Sequence, residues 1–217
     1  MPEYPDISVY IEAIERHAMG QVLQRVTLKS PFLIRTYTPP IASFEGQTLI
    51  GLRRIGKRIG FEFANRQWLV LHLMVAGRLH WNGKRQALIG FEFANGTLSL
   101  TEAGSKRQAA IHLFADESGL ASIDPGGLEL ENVSFLAFKT RLLHANHTLK
   151  RALTDPHILS GIGNAYSDEI LHQARLSPVQ LTRNLDDDEI RRLLKAIHDR
   201  LAYFTELLRA QTGSGFP

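Results

Sequence analysis

The hydrophobic period of this chain changes once, at Asp124-Pro125-Gly126-Gly127, and that change limits what the chain can fold into. Before it, apolar residues alternate with polar ones in short runs: 22–30, 48–63, 67–81, 89–93, 97–102 and 109–115. A period of two marks half-buried strands, and several such runs between turn residues predict an antiparallel sandwich or barrel. Two runs share the string IGFEFAN, at 59–65 and 89–95. The second continues into Asn95-Gly96, a strong hairpin signal. The repeat predicts two similar hairpins rather than a duplicated domain.

After the change the period is helical. Phe135, Phe138, Leu142 and Leu143 mark one helix, residues 149–153 a second and 165–174 a third. A long last helix follows Asp186-Asp187-Asp188-Glu189, whose charges suit a helix N-terminus. Its inward face is predicted to be Ile190, Leu193, Leu194, Ile197, Leu201, Phe204 and Leu208, while residues 211–217 show no packing pattern. Ahead of the strands, Ile7, Tyr10, Ile11 and Ile14 predict a helix over 7–19 with Asp6 as its cap. The fold class is therefore α+β: an N-terminal helix plus antiparallel β-sandwich over 1–121, a linker over 122–133 and an all-α domain over 134–217.

Composition removes several function classes. With no Cys, the chain has neither a disulfide nor a thiolate zinc site, and its His residues show no i, i+4 pair backed by a carboxylate. No apolar run approaches the ~20 residues of a membrane span, and acidic residues stand where a signal peptide would be basic. A cytoplasmic protein without membrane contact is expected. The net charge of +3 is uneven, +5 over residues 1–100 and −2 over the rest. Arg53, Arg54, Lys57 and Arg58 cluster in the positive half, which suits phosphates and equally suits a solvated strand face.

Two short motifs carry chemistry. The chain opens Met-Pro-Glu-Tyr-Pro-Asp. If Met1 is removed, Pro2 presents a secondary amine beside Glu3, and a terminal amine titrating near pH ~8 is partly free base and nucleophilic. The alternative is an ordinary start, with Glu3 and Asp6 in a first helical turn. The second motif, Gly161-Ile162-Gly163-Asn164-Ala165-Tyr166-Ser167-Asp168-Glu169, places glycines before a helix N-terminus, where backbone N–H groups bind anions. Such turns are also common as purely structural joints.

Taken together, these motifs resemble the formamidopyrimidine-DNA glycosylase/endonuclease VIII family of base-excision repair enzymes. MPEYPD is similar to that family's start, and Arg54-Ile-Gly-Lys57 to its basic hairpin. His72-Leu-Met74-Val-Ala-Gly77-Arg78-Leu79 resembles its HLGMSGRL segment, and residues 161–169 its helix–two-turn–helix signature GIGNxYxDE. The resemblance implies a bifunctional oxidised-base glycosylase and AP lyase acting on damaged double-stranded DNA as a monomer in the bacterial nucleoid. Pro2 would attack the sugar C1′ and form a Schiff base. Glu3 would serve as acid/base and Lys57 would bind the phosphate beside the lesion. His72 and Asn164 would contact the backbone, with Lys150 and Glu169 at the lesion side. Met74 and Arg107 would fill the gap left by the flipped base. Read without the resemblance, Met74 and His72 are core residues, Lys57 is surface charge and Glu169 serves a helix end.

The pattern also departs from the family. Asp6 stands where Glu is usual, and Gln108 where a second, aromatic wedge is usual, so the preferred lesion stays open. The family continues into a four-cysteine zinc finger. This chain reaches Pro217 without a Cys, so no cofactor is expected within it, and Zn²⁺ only if a finger follows. A truncated form with weakened duplex binding is the expectation. Two other functions compete: a catalytically idle damaged-DNA binder, and an RNA- or ribosome-binding module, for which a terminal amine would have no use.

Overall fold

The computed structural model describes residues 1–83, 86–104 and 106–217. It opens with helix α1, Tyr4–Ala18, followed by strands β1 (Leu23–Leu28), β2 (Leu49–Ile55), β3 (Arg58–Phe63), β4 (Trp68–His72), β5 (Gly77–Trp81), β6 (Ile89–Phe93), β7 (Gly96–Glu102) and β8 (Ala110–Phe114). The helical half comprises α2 (Phe135–Leu143), α3 (Leu149–Thr154), α4 (Asn164–Ala174) and α5 (Asp187–Thr212). The strands form two antiparallel four-stranded sheets, ordered β1-β6-β7-β5 and β2-β3-β4-β8. This is the α+β architecture that the change of period predicts.

The repeated IGFEF strings are β3 and β6, one in each sheet. In both, Ile and the two Phe residues point into the sandwich, where Phe61 and Phe91 stack with ring centroids 6.5 Å apart. Both strands turn back at the same end of the sandwich, through residues 64–67 and 94–95. At the opposite end the connections differ. There β2 turns into β3 at Gly56-Lys57, while β4–β5 and β7–β8 cross from one sheet to the other. Because His72 pairs with Ala110 and Gly77 with Glu102, the two crossings leave and enter the sheets on paired strands at this end. A third, smaller core of Ile55, Trp68, Val70 and Leu120 covers the outer face of the β2–β8 sheet.

Three predicted details are corrected. Helix α1 starts three residues earlier than its apolar period: Glu3 is the N-cap and Asp6 lies inside the first turn, its Oδ2 accepting the Glu3 N–H at 2.9 Å. In α5 the five aliphatic positions from Ile190 to Leu201 are buried, but Phe204 and Leu208 are only half-buried and Thr205 takes the inner place. Thr205 satisfies its hydroxyl by donating to the Leu201 carbonyl at 2.7 Å. Residues 211–217 do pack: Phe216 lies against Tyr10 and His17, at centroid distances of 5.9 and 6.2 Å, and the Gly215 carbonyl accepts from Arg16. A lone aromatic at a chain end has no period to announce it.

The helical half has its own core, built around Phe138, Leu149, Leu153, Ile170, Leu193 and Ile197. Residues 128–131 run along it, with Leu128 bridging Leu159 and Leu130 buried. Helix α1 packs against both β2 and α5 and so joins the two halves.

Candidate active site

Helix α4 has no side-chain cap of its own. The free N–H groups at a helix start need acceptors, and a buried one without a partner costs about 1–3 kcal/mol. Here the acceptor arrives from the far end of the sequence. The Glu3 carboxylate, 3% exposed, accepts from Gly163 N at 2.7 Å, Ala165 N at 3.1 Å and Tyr166 N at 3.3 Å. The adjacent Tyr4 N–H donates to the Gly161 carbonyl at 2.9 Å. The first residues of the chain are thus stitched into the glycine turn, with Pro2 buried beside them.

The two glycines of that turn are needed for different reasons. Gly161 has φ +84°, a left-handed conformation that side chains disfavour. Gly163 is extended, and its constraint is space: a Cβ there would overlap Glu3 Oε1 and lie 2.6 Å from Lys57 Nζ. Lys57 therefore meets Glu3 at the mouth of α4. It is carried by a two-residue turn in which Gly56, at φ +59°, takes the first central position. Burial pulls the Lys57 ammonium below its ordinary pKa, and Glu3 opposes that shift.

His72, at the end of β4, faces the same space. Its pKa is pushed down to about 4, chiefly by burial and then by the charges of Arg58, Lys57 and His112. The imidazole is neutral at physiological pH and offers one N–H donor. A cavity of about 210 Å³ lies between Met1, Lys57, Arg58, His72 and Gly161. Lys57 and Arg58 line it on the sandwich side with Asp124 facing Arg58, and the glycine turn backs it on the other.

The other predicted site residues are placed less uniformly. Asn164 is exposed at the first position of α4, and its carbonyl accepts from Lys150 Nζ at 2.8 Å. Lys150 also pairs with Asp168 at 2.6 Å, so it braces the turn from behind. Glu169 is exposed on α4, and no hydrogen bond or ion pair among the described residues joins it to Glu3 or Lys57. Arg107 is exposed in the β7–β8 loop, at the same end of the sandwich as Lys57. Met74 is half-buried with φ +53°, and Val75, 60% exposed, is the apolar side chain that projects from the 73–76 loop. Aligned letter by letter, Val75 matches the Met of HLGMSGRL and Met74 its Gly, as the left-handed backbone at Met74 agrees. Val75, one residue beyond Met74, is therefore the exposed apolar side chain of this loop.

Sequence reasoning placed Arg54 in the basic cluster but gave it no role in the site. Its side chain is 9% exposed and pairs with Glu129 at 2.5 Å and Glu131 at 3.0 Å. It also donates to Ser160 Oγ and the Gly56 carbonyl, both at 3.3 Å, with the Tyr4 ring 4.4 Å from its guanidinium carbon. Arg54 therefore fastens the Lys57 turn, α1 and the glycine turn to the 129–131 segment. Tyr4 OH donates to Glu131 at 2.6 Å, and burial followed by Glu131 raises its pKa to about 12. The signal available was the Arg54-to-Lys57 spacing, but its acidic partners lie some 75 residues away in sequence.

Fold and site together define a two-domain class, a helix-led β-sandwich whose N-terminal acid caps a helix–two-turn–helix module. The sequence matches the family profile of the formamidopyrimidine-DNA glycosylase N-terminal domain over residues 1–124 and that of the formamidopyrimidine-DNA glycosylase H2TH domain over 124–212. The chain belongs to the formamidopyrimidine-DNA glycosylase family. It is 30% identical over 207 residues to the formamidopyrimidine-DNA glycosylase of Carboxydothermus hydrogenoformans, covering 93% of this chain and 76% of that one. It is 27% identical over 199 residues to that of Ureaplasma parvum, covering 85% and 71%. The MutM (Fpg) protein of Thermus thermophilus superposes with a TM-score of 0.83 at 27% identity, over 95% of this chain and 77% of that one. The Lactococcus lactis Fpg in complex with abasic-site DNA has the same fold, with a TM-score of 0.85 at 21% identity over 94% and 79% of the two chains.

Proposed function

We propose that this protein is a DNA glycosylase of base-excision repair that also cleaves the strand at the abasic site. The observation that carries the proposal is the buried Glu3 carboxylate, seated between Pro2, the α4 N-terminus and Lys57. Removal of Met1 frees the Pro2 amine. Its nitrogen bonds to C1′ of the damaged nucleotide, the glycosidic bond breaks, and the base leaves with its electron pair and a proton. Sugar ring opening gives an iminium at C1′. That electron sink acidifies the C2′ proton, whose loss expels the 3′ phosphate. Glu3 exchanges the protons, while Lys57, neutral His72 and Asn164 hold the phosphates flanking the sugar.

Borohydride reduction on abasic-site DNA tests this. A chain whose mass shows that it begins at Pro2 gives a covalent adduct, and the double variant Pro2→Gly, Glu3→Gln gives none. No adduct from the chain beginning at Pro2 overturns the lyase chemistry. If that chain still binds abasic-site DNA, and Lys57→Ala weakens the binding about tenfold, the molecule is the idle damage binder.

A further inference from the structure

At the end of the sandwich that carries Lys57, one aromatic side chain stands outside every core. Phe32 is 86% exposed, the most exposed of the large apolar residues. It sits in a single 3-10 turn, Pro31–Leu33, that is fastened on both sides. On one side Lys29 N and Ser30 N donate to the Leu88 carbonyl at 2.9 and 3.2 Å. On the other, Leu33 and Ile34 are buried, Ile34 bridges Ile111 and Arg35 N donates to the Ile111 carbonyl at 2.8 Å. The ring is thus presented on a rigid support, and an aromatic with two side-chain torsions loses little entropy on contact.

Its neighbours indicate the partner. Phe32, Arg35 and Arg107 share the rim of a cavity of about 270 Å³ with Glu102 and Ala109. Arg107 belongs to the loop Ala103-Gly-Ser-Lys-Arg-Gln-Ala109, which has no aromatic residue, so that loop supplies charge without a stacking face. An exposed aromatic ring that shares a cavity rim with two arginines, at the end of the sandwich that carries Lys57, fits a nucleobase flanked by phosphates. Lys57 is separated from the Phe32 segment by β4 and β8, about three strand spacings or ~14 Å. That distance is too great for both residues to serve one nucleotide.

We propose that Phe32 stacks on a base of the DNA strand opposite the one held at Lys57 and supplies the aromatic face that the 103–109 loop lacks. The inference rests on the DNA-binding part of the proposed function. In equilibrium titration of a duplex carrying a tetrahydrofuran abasic analogue, Phe32→Ala loses about tenfold in affinity (~1.4 kcal/mol), and Phe32→Tyr retains it. With 2-aminopurine opposite the analogue, wild-type protein quenches the fluorescence by stacking, and Phe32→Ala does not. An unchanged melting temperature in Phe32→Ala shows that the loss is one of contact. Equal affinity and equal quenching in wild type and Phe32→Ala overturn the inference while leaving DNA binding intact. A wild type that binds no duplex overturns both.

Discussion

At the end of the sandwich where β3 meets β4 and β6 meets β7, the chain reverses within a sheet and satisfies its own polar groups. Asn65 donates to Gln67 and to the Ser43 carbonyl, and Asn95 donates to the His17 carbonyl at 2.6 Å. Phe63 and Phe93 close the core just inside those turns. At the other end the β4–β5 and β7–β8 connections change sheets, and Lys57, His72, Val75 and Arg107 all lie at that end, with Lys57 beside the α4 N-terminus. One end is finished by the sandwich itself, and the other is finished by the helical half. Two identical strings, IGFEFAN, build the quiet end twice, so the chemistry comes from the connections that the repeat does not include.

This division can be broken from either side. Phe63→Ala at the quiet end should cost about 3–5 kcal/mol of stability, read as a lower denaturation midpoint. Activity per folded molecule on abasic-site DNA should be unchanged at low temperature, and a catalytic loss beyond the unfolded fraction would mean that the two ends are coupled. At the working end, Gly163→Ala forces Glu3 and Lys57 apart, and strand cleavage should fall about 100-fold, the scale of an ångström-sized misplacement. Cleavage within threefold of wild type would show that Glu3 need not sit at α4.

His72 sharpens the contrast through pH. Its folded pKa of about 4 lies below the ordinary 6.5, so folding favours the neutral ring. That contribution is present above pH 6.5 and is lost as pH falls towards 4. With allowance for the ring's partial exposure, it is on the order of 1 kcal/mol. In His72→Gln the fall in melting temperature between pH 6.5 and 4 should be shallower, and identical pH profiles would remove His72 from the buried cationic end. The smallest effect is expected at the quiet turn. Asn95→Ala loses the bond to His17 and should cost about 1 kcal/mol with no change in DNA affinity. A shift in affinity would contradict the division.

Much of the fold was legible because it is local. Alternation reports a strand and a 3.6 period reports a helix, and Asn95-Gly96 fixes one hairpin. Parts of the site were legible because the motifs carry them: Glu3, Lys57 and the 161–164 turn do converge. What escaped was set by pairing across the chain. Nothing near Arg54 announces Glu129 and Glu131, and nothing near Lys150 announces that its ammonium is spent on the Asn164 carbonyl and Asp168. That Met74 is half-buried and Val75 exposed is set by one residue of loop conformation, which apolar character alone does not resolve.

The borrowed cap has a consequence during synthesis. Glu3 leaves the ribosome among the first residues, whereas the amides that receive it follow some 160 residues later. At ~5–20 residues per second, this leaves Pro2 without its arranged surroundings for on the order of 10–30 s. If Pro2 acts as proposed, its terminus becomes a site only after residues 163–166 have been made, and a shorter polypeptide carries the amine without these partners.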